Sequence, residues 1–116
     1  MTTYDRLPVY RETYDFFAAV FVFTKSFTRE YKYTIGETIK QEIIELMMRI
    51  FRANSDPRER PALIREARIR IETIRLLIRL THDLKQIPLE KFVDLNVRIE
   101  SISKQLTGWQ RSAGPA

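Results

Sequence analysis

The segment from Arg60 to Leu80, RPALIREARIRIETIRLLIRL, carries apolar residues at helical spacing on two opposite sides. When successive residues are placed about 100° apart, one broad apolar stripe consists of Ile64, Ala67, Ile71, Ile74 and Ile78. A second stripe points nearly the opposite way and consists of Ile69, Thr73, Leu76 and Leu80. One small bundle cannot bury both stripes of a helix. The pattern therefore predicts a helix that packs on its own fold with one side and on another subunit with the other.

Arginines occupy the strip between these two stripes. The strip contains Arg65, Arg68, Arg75 and Arg79, with Glu72 in the same register. A guanidinium group binds phosphate through a planar fork and keeps its charge when it is partly desolvated. We therefore predict that these four arginines bind nucleic acid, together with Arg49 and Arg52 of the preceding helix. Ordinary solvated arginine remains the alternative. Arg70 lies apart, among apolar residues, and is predicted to extend its head group to solvent or to pair with a carboxylate at an interface.

The positive charge of the chain is concentrated in the same region. The formal net charge of the 116 residues is +5. Nine arginines and four acidic residues lie between Arg49 and Arg79, which accounts for the whole surplus, because eleven basic and eleven acidic residues remain elsewhere. A localised positive surplus favours an anionic polymer or an acidic protein surface as the partner.

Apolar periodicity predicts four helices, at about residues 8–26, 34–53, 57–84 and 88–107, and a tail over 108–116. No segment alternates with period two, so strands are not expected. Thr34 and Glu37 match a capping box at the second helix. Asp56 and Pro57 predict the start of the third, although Pro61 leaves that start open. Gly108 is interpreted as the C-terminal stop of the fourth helix.

Four helices with short links predict an all-α, antiparallel, up-down four-helix bundle that forms a single domain. The second helix also has a second apolar face, which contains Ile44, Met48 and Phe51. We expect this face to join Ile69, Thr73, Leu76 and Leu80 in contacts between subunits. The predicted product is a bundle that oligomerises into a ring or barrel.

The composition argues against several kinds of chemistry. The chain has no cysteine and one histidine, His82. Without a carboxylate at metal-ligand spacing, His82 is interpreted as a surface or structural residue. Glu42 and Glu45 lack the Glu-x-x-His pairs of metal-binding bundles and are interpreted as solvated or ion-paired. No phosphate-binding loop or nucleophile set is present. We therefore predict a protein that is not an enzyme, with no metal and no cofactor.

Two further expectations concern location and aromatic residues. The charged first residues and the absence of a run of about 20 apolar residues predict a soluble, cytoplasmic protein that does not bind membranes. Trp109 is expected to close the end of the bundle, with base stacking as the weaker alternative. Tyr31 and Tyr33, which alternate with Arg29 and Lys32, form either a basic-aromatic patch or a staple onto the second helix.

Several stretches resemble the four-helix-bundle family of diversity-generating retroelement accessory proteins, which also contains proteins encoded in intervening sequences of bacterial 23S ribosomal RNA genes. They are LPVY from Leu7, the segment from Thr28 to Ala53, the segment from Arg68 to Ile87, and the closing LTGWQRS. The similarity extends from about Leu7 to Arg111. Its most specific features are the Tyr33–Gly36 entry to the second helix, the IRLLIRL core of the third, and Gly108 with Trp109.

The resemblance implies a homopentameric barrel with a basic surface that binds RNA or DNA. It also implies a partner reverse transcriptase, which the accessory protein would hold on its template RNA during mutagenic complementary DNA synthesis. Arg68, Arg75 and Arg79 match the basic pattern of the family's third helix. The alternative is an intervening-sequence-type assembly or adaptor protein without a retroelement role, whose arginines pair with acidic residues across subunit interfaces.

Overall fold

The computed structural model describes residues 7–114 of the chain. It contains four long helices and one helix of four residues: α1 (Pro8–Thr24), α2 (Arg29–Lys32), α3 (Ile35–Ser55), α4 (Arg60–Asp83) and α5 (Leu89–Ala113). No strand occurs in this range. The prediction of an all-helical bundle is confirmed. None of the helices in the described part of the chain is both long enough and apolar enough to span a bilayer.

The long helices pack side by side, with α4 between α3 and α5 and with α1 against the other sides of α3 and α5. Four side chains near the middle of the core, Phe16, Leu46, Ile74 and Ile99, are fully buried. The predicted core stripe of α4 is confirmed. Its members Ile64, Ala67, Ile71, Ile74 and Ile78 are all at most 1% exposed.

The last part of α5 differs from the prediction. The chain does not leave the helix at Gly108, because α5 continues to Ala113 and ends at Gly114, whose φ is 92°. The predicted tail over 108–116 is therefore wrong as far as Ala113, and its last two residues lie outside the described range. Trp109 and Ala113 pack against a small apolar cluster of Ala53, Leu63 and Ile64. Burial of these side chains stabilises the last turns in spite of the glycine.

The start of α3 also differs from the prediction. Thr34 does not form a capping box with Glu37, since no side-chain cap is present at this helix. The Thr34 hydroxyl instead donates to the Glu30 carbonyl at 2.7 Å, and Glu37 pairs with Lys40 Nζ at 2.7 Å. α1 ends two residues earlier than predicted, at Thr24, and α3 extends two residues further, to Ser55.

The turn between α3 and α4 is stabilised by its own side chains. Helix α4 begins at Arg60 and not at Pro57. Asp56 Oδ1 accepts a hydrogen bond from the Glu59 amide at 3.3 Å, so it caps the turn and not the helix. Arg60 donates to the carbonyls of Ala53 at 2.7 Å and Asn54 at 3.1 Å. Since the last carbonyls of a helix have no partners within it, these bonds cap α3.

At the other end of the bundle, the two remaining links contact each other. The Thr28 amide donates to Gln86 Oε1 at 2.8 Å, which joins the α1–α2 link to the α4–α5 link. Tyr31 packs against the core, as a staple would, whereas Tyr33 is exposed. His82 stacks on Phe92 of α5 with ring centroids 4.5 Å apart. That contact is consistent with the interpretation of His82 as a structural residue.

Substitution of Gly108 by alanine is expected to stabilise the protein by about 0.5–1 kcal/mol. Gly108 lies inside α5, and an added Cβ would meet no atom within 4 Å. The change is measured by chemical denaturation. Gly36→Ala is the matched control, because its Cβ would lie 3.3 Å from the Tyr31 carbonyl oxygen and would offset the helical gain. A loss of stability in Gly108→Ala would show that α5 ends before this residue.

Candidate nucleic-acid interface

The six arginines predicted to bind nucleic acid differ in their partners. Arg75 lies between two carboxylates, with Nε 3.0 Å from Glu72 and Nη1 3.0 Å from Glu100 of α5. The hydrogen bonds that it donates to Glu72 and then to Glu100 raise the pKa of Arg75 above its ordinary value, against the opposing effect of burial. These contacts neutralise Arg75 and connect α4 to α5.

Arg49 of α3 also lies between two carboxylates, at the contact between α3 and α4. Its side chain is only 18% exposed and contacts Glu45 at 2.6 Å and Glu66 of α4 at 3.0 Å. Arg70 pairs with Glu42 of α3 at 2.9 Å. The carboxylate predicted for Arg70 is thus supplied by a neighbouring helix of the same chain. Together these pairs connect α3 to α4.

Acid is expected to weaken the contact between Arg49 and Glu45. The hydrogen bond from Arg49 lowers the pKa of Glu45 below its ordinary value of 4.5. A carboxyl whose pKa is lowered by folding contributes stability above its ordinary pKa and loses it as pH falls through the folded value. Glu45→Gln should therefore reduce stability at neutral pH and reduce the further loss in acid. Chemical denaturation at neutral pH and below 4.5 measures both, and an unchanged pH dependence would contradict the assignment.

The other predicted arginines are exposed. Arg79 has a side chain that is 74% exposed, and its carboxylate contact, with Asp83, is 3.9 Å long. Arg52, Arg65 and Arg68 are exposed too, and within residues 7–114 none of the three forms an ion pair. Arg68 Nη1 donates to Gln110 Oε1 of α5. A neutral amide leaves the charge of Arg68 uncompensated.

One basic residue of this region was not predicted from the sequence. Arg111 is exposed in the last turns of α5. It lines an open depression of about 510 Å³ with Arg65, Arg68, Thr107, Gln110 and Gly114. We call Arg65, Arg68 and Arg111 the arginine cluster. The apolar spacing of Ile99, Ile102, Leu106, Trp109 and Ala113 continues past Gly108 and was the available signal that Arg111 is helical.

The second apolar stripe of α4 is at the surface of the single chain. Its large side chains are extensively exposed, at 58% for Ile69, 67% for Leu76 and 42% for Leu80. Thr73 is half-buried, and its hydroxyl donates to the Ile69 carbonyl at 3.1 Å. We call these four residues the outer α4 surface. An open groove of about 620 Å³ connects it to the arginine cluster through Ser103 of α5.

Two neighbouring surfaces are also apolar. Leu89, Val93 and Val97 of α5 are exposed and recur every four residues, a spacing that could have identified them from the sequence. On α3, Ile44 and Met48 are exposed and Phe51 is half-buried. We call Ile44, Met48 and Phe51 the outer α3 surface. The contact of the outer α3 and outer α4 surfaces with another subunit stays a prediction.

A family comparison covers almost the whole chain. The model of the family described as bAvd-like matches residues 8–113, a range that contains all five helices. The chain belongs to the bAvd-like family. This match confirms the family resemblance that the sequence motifs indicated. A search of curated proteins finds no match.

The match places the candidate site within the shared part of the bAvd-like chain. The arginine cluster and the outer surfaces of α3 and α4 all lie between residues 8 and 113. Because the match continues past Gly108, it agrees with an α5 that includes Arg111. The candidate site and the helices that carry it therefore lie within the range that the family model matches.

Proposed function

We propose that this bAvd-like chain is a non-catalytic accessory protein of a diversity-generating retroelement. In this proposal it forms a basic homopentamer in the cytoplasm and binds both a reverse transcriptase and its template RNA. By holding the two together it supports mutagenic complementary DNA synthesis. Membership in the bAvd-like family supports this type of function, and the number of five subunits rests on that resemblance alone.

The observation that carries nucleic-acid binding is the unequal pairing of the arginines. Arg49, Arg70 and Arg75 are neutralised by carboxylates of the chain. Arg52, Arg65 and Arg68 are exposed without such partners in the described part, and Arg79 has a carboxylate no closer than 3.9 Å. Exposed guanidinium groups that lack a carboxylate attract phosphates and release counterions on binding. We assign phosphate contact to the second group and helix-to-helix contact to the first.

Assembly is supported by the exposed apolar surfaces and by the helix order. Two ion pairs show the relative direction of α3 and α4: Glu42 pairs with Arg70, and Arg49, which is later in α3, pairs with Glu66, which is earlier in α4. This order supports an antiparallel bundle. We propose that the outer α3 surface of one subunit contacts the outer α4 surface of the next, a contact that joins unlike faces. Repetition of a contact between unlike faces closes a ring when the rotation allows it.

Titration of the purified protein with a structured RNA at increasing salt tests this function. The affinity should fall steeply with salt, with a slope of about 0.7–0.9 per phosphate contact in a plot of log affinity against log salt. Arg79→Glu should weaken binding while the oligomer stays intact, because its exposed side chain belongs to neither the outer α3 surface nor the outer α4 surface. Arg98→Glu, on α5 beside Asp94, is the matched control.

The alternative, an assembly or adaptor protein without a retroelement role, makes a different prediction. Its support is that carboxylates of the same chain already neutralise three arginines, Arg49, Arg70 and Arg75, which are therefore not free to bind phosphate. If the oligomer forms but binds no RNA even at low salt, the adaptor function replaces the one proposed. Copurification of a reverse transcriptase encoded beside the gene would support the retroelement role.

A further inference from the structure

We infer that the arginine cluster is a phosphate subsite, which holds the backbone of a nucleic acid without contacting its bases. This inference deepens the proposed function and rests on it. In this subsite Arg111 contacts phosphate together with Arg65 and Arg68.

Within residues 7–114, no carboxylate pairs with Arg65, Arg68 or Arg111, and none lines the depression. Arg65, Arg68 and Arg111 line one depression at the end of the bundle where α4 begins and α5 ends. The carboxylates nearest in sequence are engaged elsewhere, since Glu66 contacts Arg49 and Glu72 contacts Arg75. The C-terminal end of α5 contributes a partial negative charge, which offsets only part of three full positive charges. An anion in the depression would reduce the mutual repulsion of the arginines.

The hydrogen-bonding groups of the depression suit phosphate oxygens. Each guanidinium group offers several N–H donors in a fixed fork. Gln110 turns its Oε1 toward Arg68, so its Nε2 remains a donor. This bond also holds Arg68 against α5, which reduces the freedom that Arg68 would lose on binding. The Thr107 hydroxyl donates to the Ser103 carbonyl at 3.0 Å. The side-chain donors that remain for a phosphate are therefore N–H groups.

The aromatic groups of the region are not placed for stacking. Single-stranded nucleic acid is commonly bound by bases that stack on exposed rings. None of the described residues that line the depression is aromatic. Trp109, next to Gln110 in the chain, packs against the core and the cluster at the bundle end. We therefore do not propose that Trp109 stacks on bases. Contact with the phosphate backbone of the nucleic acid remains.

The test compares two variants of the full chain by fluorescence anisotropy. One carries Arg65→Gln, Arg68→Gln and Arg111→Gln. The control carries Lys25→Gln, Lys85→Gln and Lys91→Gln, which removes the same charge from the opposite end, about 28 Å away along α4. The probes are a labelled single-stranded RNA and an abasic analogue of the same length. Circular dichroism confirms equal helix content, and Arg111→Gln alone, at an exposed position, serves as a second variant.

The cluster variant should bind the RNA about 10- to 100-fold more weakly and lower the salt slope by about two to three units. Arg111→Gln should lower the slope by about one unit. The control should retain the affinity within about threefold, and so should wild-type protein with the abasic probe, since phosphate contacts carry no base information. Equal weakening by the control, or a large loss on the abasic probe, would overturn the subsite.

Failure of the subsite can be distinguished from failure of the function. If the wild-type protein binds the RNA and the cluster variant binds it as tightly, the function stands and only the subsite is wrong. If the wild-type protein binds neither probe at low salt, both are wrong. Competition by inorganic tripolyphosphate should lower the anisotropy of wild type and leave that of the cluster variant unchanged, which separates a phosphate site from a general basic surface.

Discussion

Protein that carries Leu76→Asp and Leu80→Asp is expected to behave as a single chain of 13.8 kDa, whereas the wild-type protein is expected to form a larger species. Both side chains belong to the outer α4 surface, where they are exposed in the isolated chain. Burial of each leucine against a neighbouring subunit contributes about 1.5–3 kcal/mol. Loss of both therefore weakens each contact by about 10²–10⁴-fold. The cost of burying two carboxylates adds to this effect.

Light scattering coupled to size exclusion measures the mass. Val22→Asp provides the matched control, because Val22 is 68% exposed on α1 and lies outside the proposed contact. It should leave the mass unchanged. Circular dichroism should show the same helix content in all three proteins, since none of the changes affects the core. An unchanged mass in the double variant would refute the assignment of the outer α4 surface to an interface.

Substitution of Phe16 by alanine is expected to remove about 3–5 kcal/mol from the free energy of unfolding. Phe16 is one of the largest fully buried side chains of the described residues. Its truncation leaves a cavity in the core that α1 forms with the other long helices. Because single domains are typically stable by about 5–15 kcal/mol, this loss is a large part of the total.

The loss is measured by chemical denaturation at constant protein concentration, since assembly also contributes to the apparent stability. Tyr33→Ala is the matched control, because it truncates an aromatic side chain that is 66% exposed. Its effect should stay within about 0.5 kcal/mol. A change of similar size in both variants would show that α1 does not pack as described.

The sequence predicted the helical elements well because the period of apolar residues reports the angle of each side chain about a helix axis. It therefore separated the core stripe of α4 from the outer α4 surface, and the structure places the first inside and the second outside. It was wrong at helix ends. Thr34 has the residue type of a helix cap, but its hydroxyl donates to the Glu30 carbonyl instead. Gly108 has the residue type of a helix stop, but packing of Trp109 and Ala113 continues the helix past it.

The sequence by itself determined which side chains share a face, since helical spacing is a local property of the chain. It placed Arg68, Arg75 and Arg79 on one strip and assigned them one role. Only the tertiary structure decided which of them keep a free charge, because Glu100 and Gln110 come from α5. The register of α4 against α5 sets these two pairings, and the spacing of residues within one helix does not reveal that register. For the same reason Arg111, which is 43 residues after Arg68 in the sequence, joins the cluster only in the folded chain.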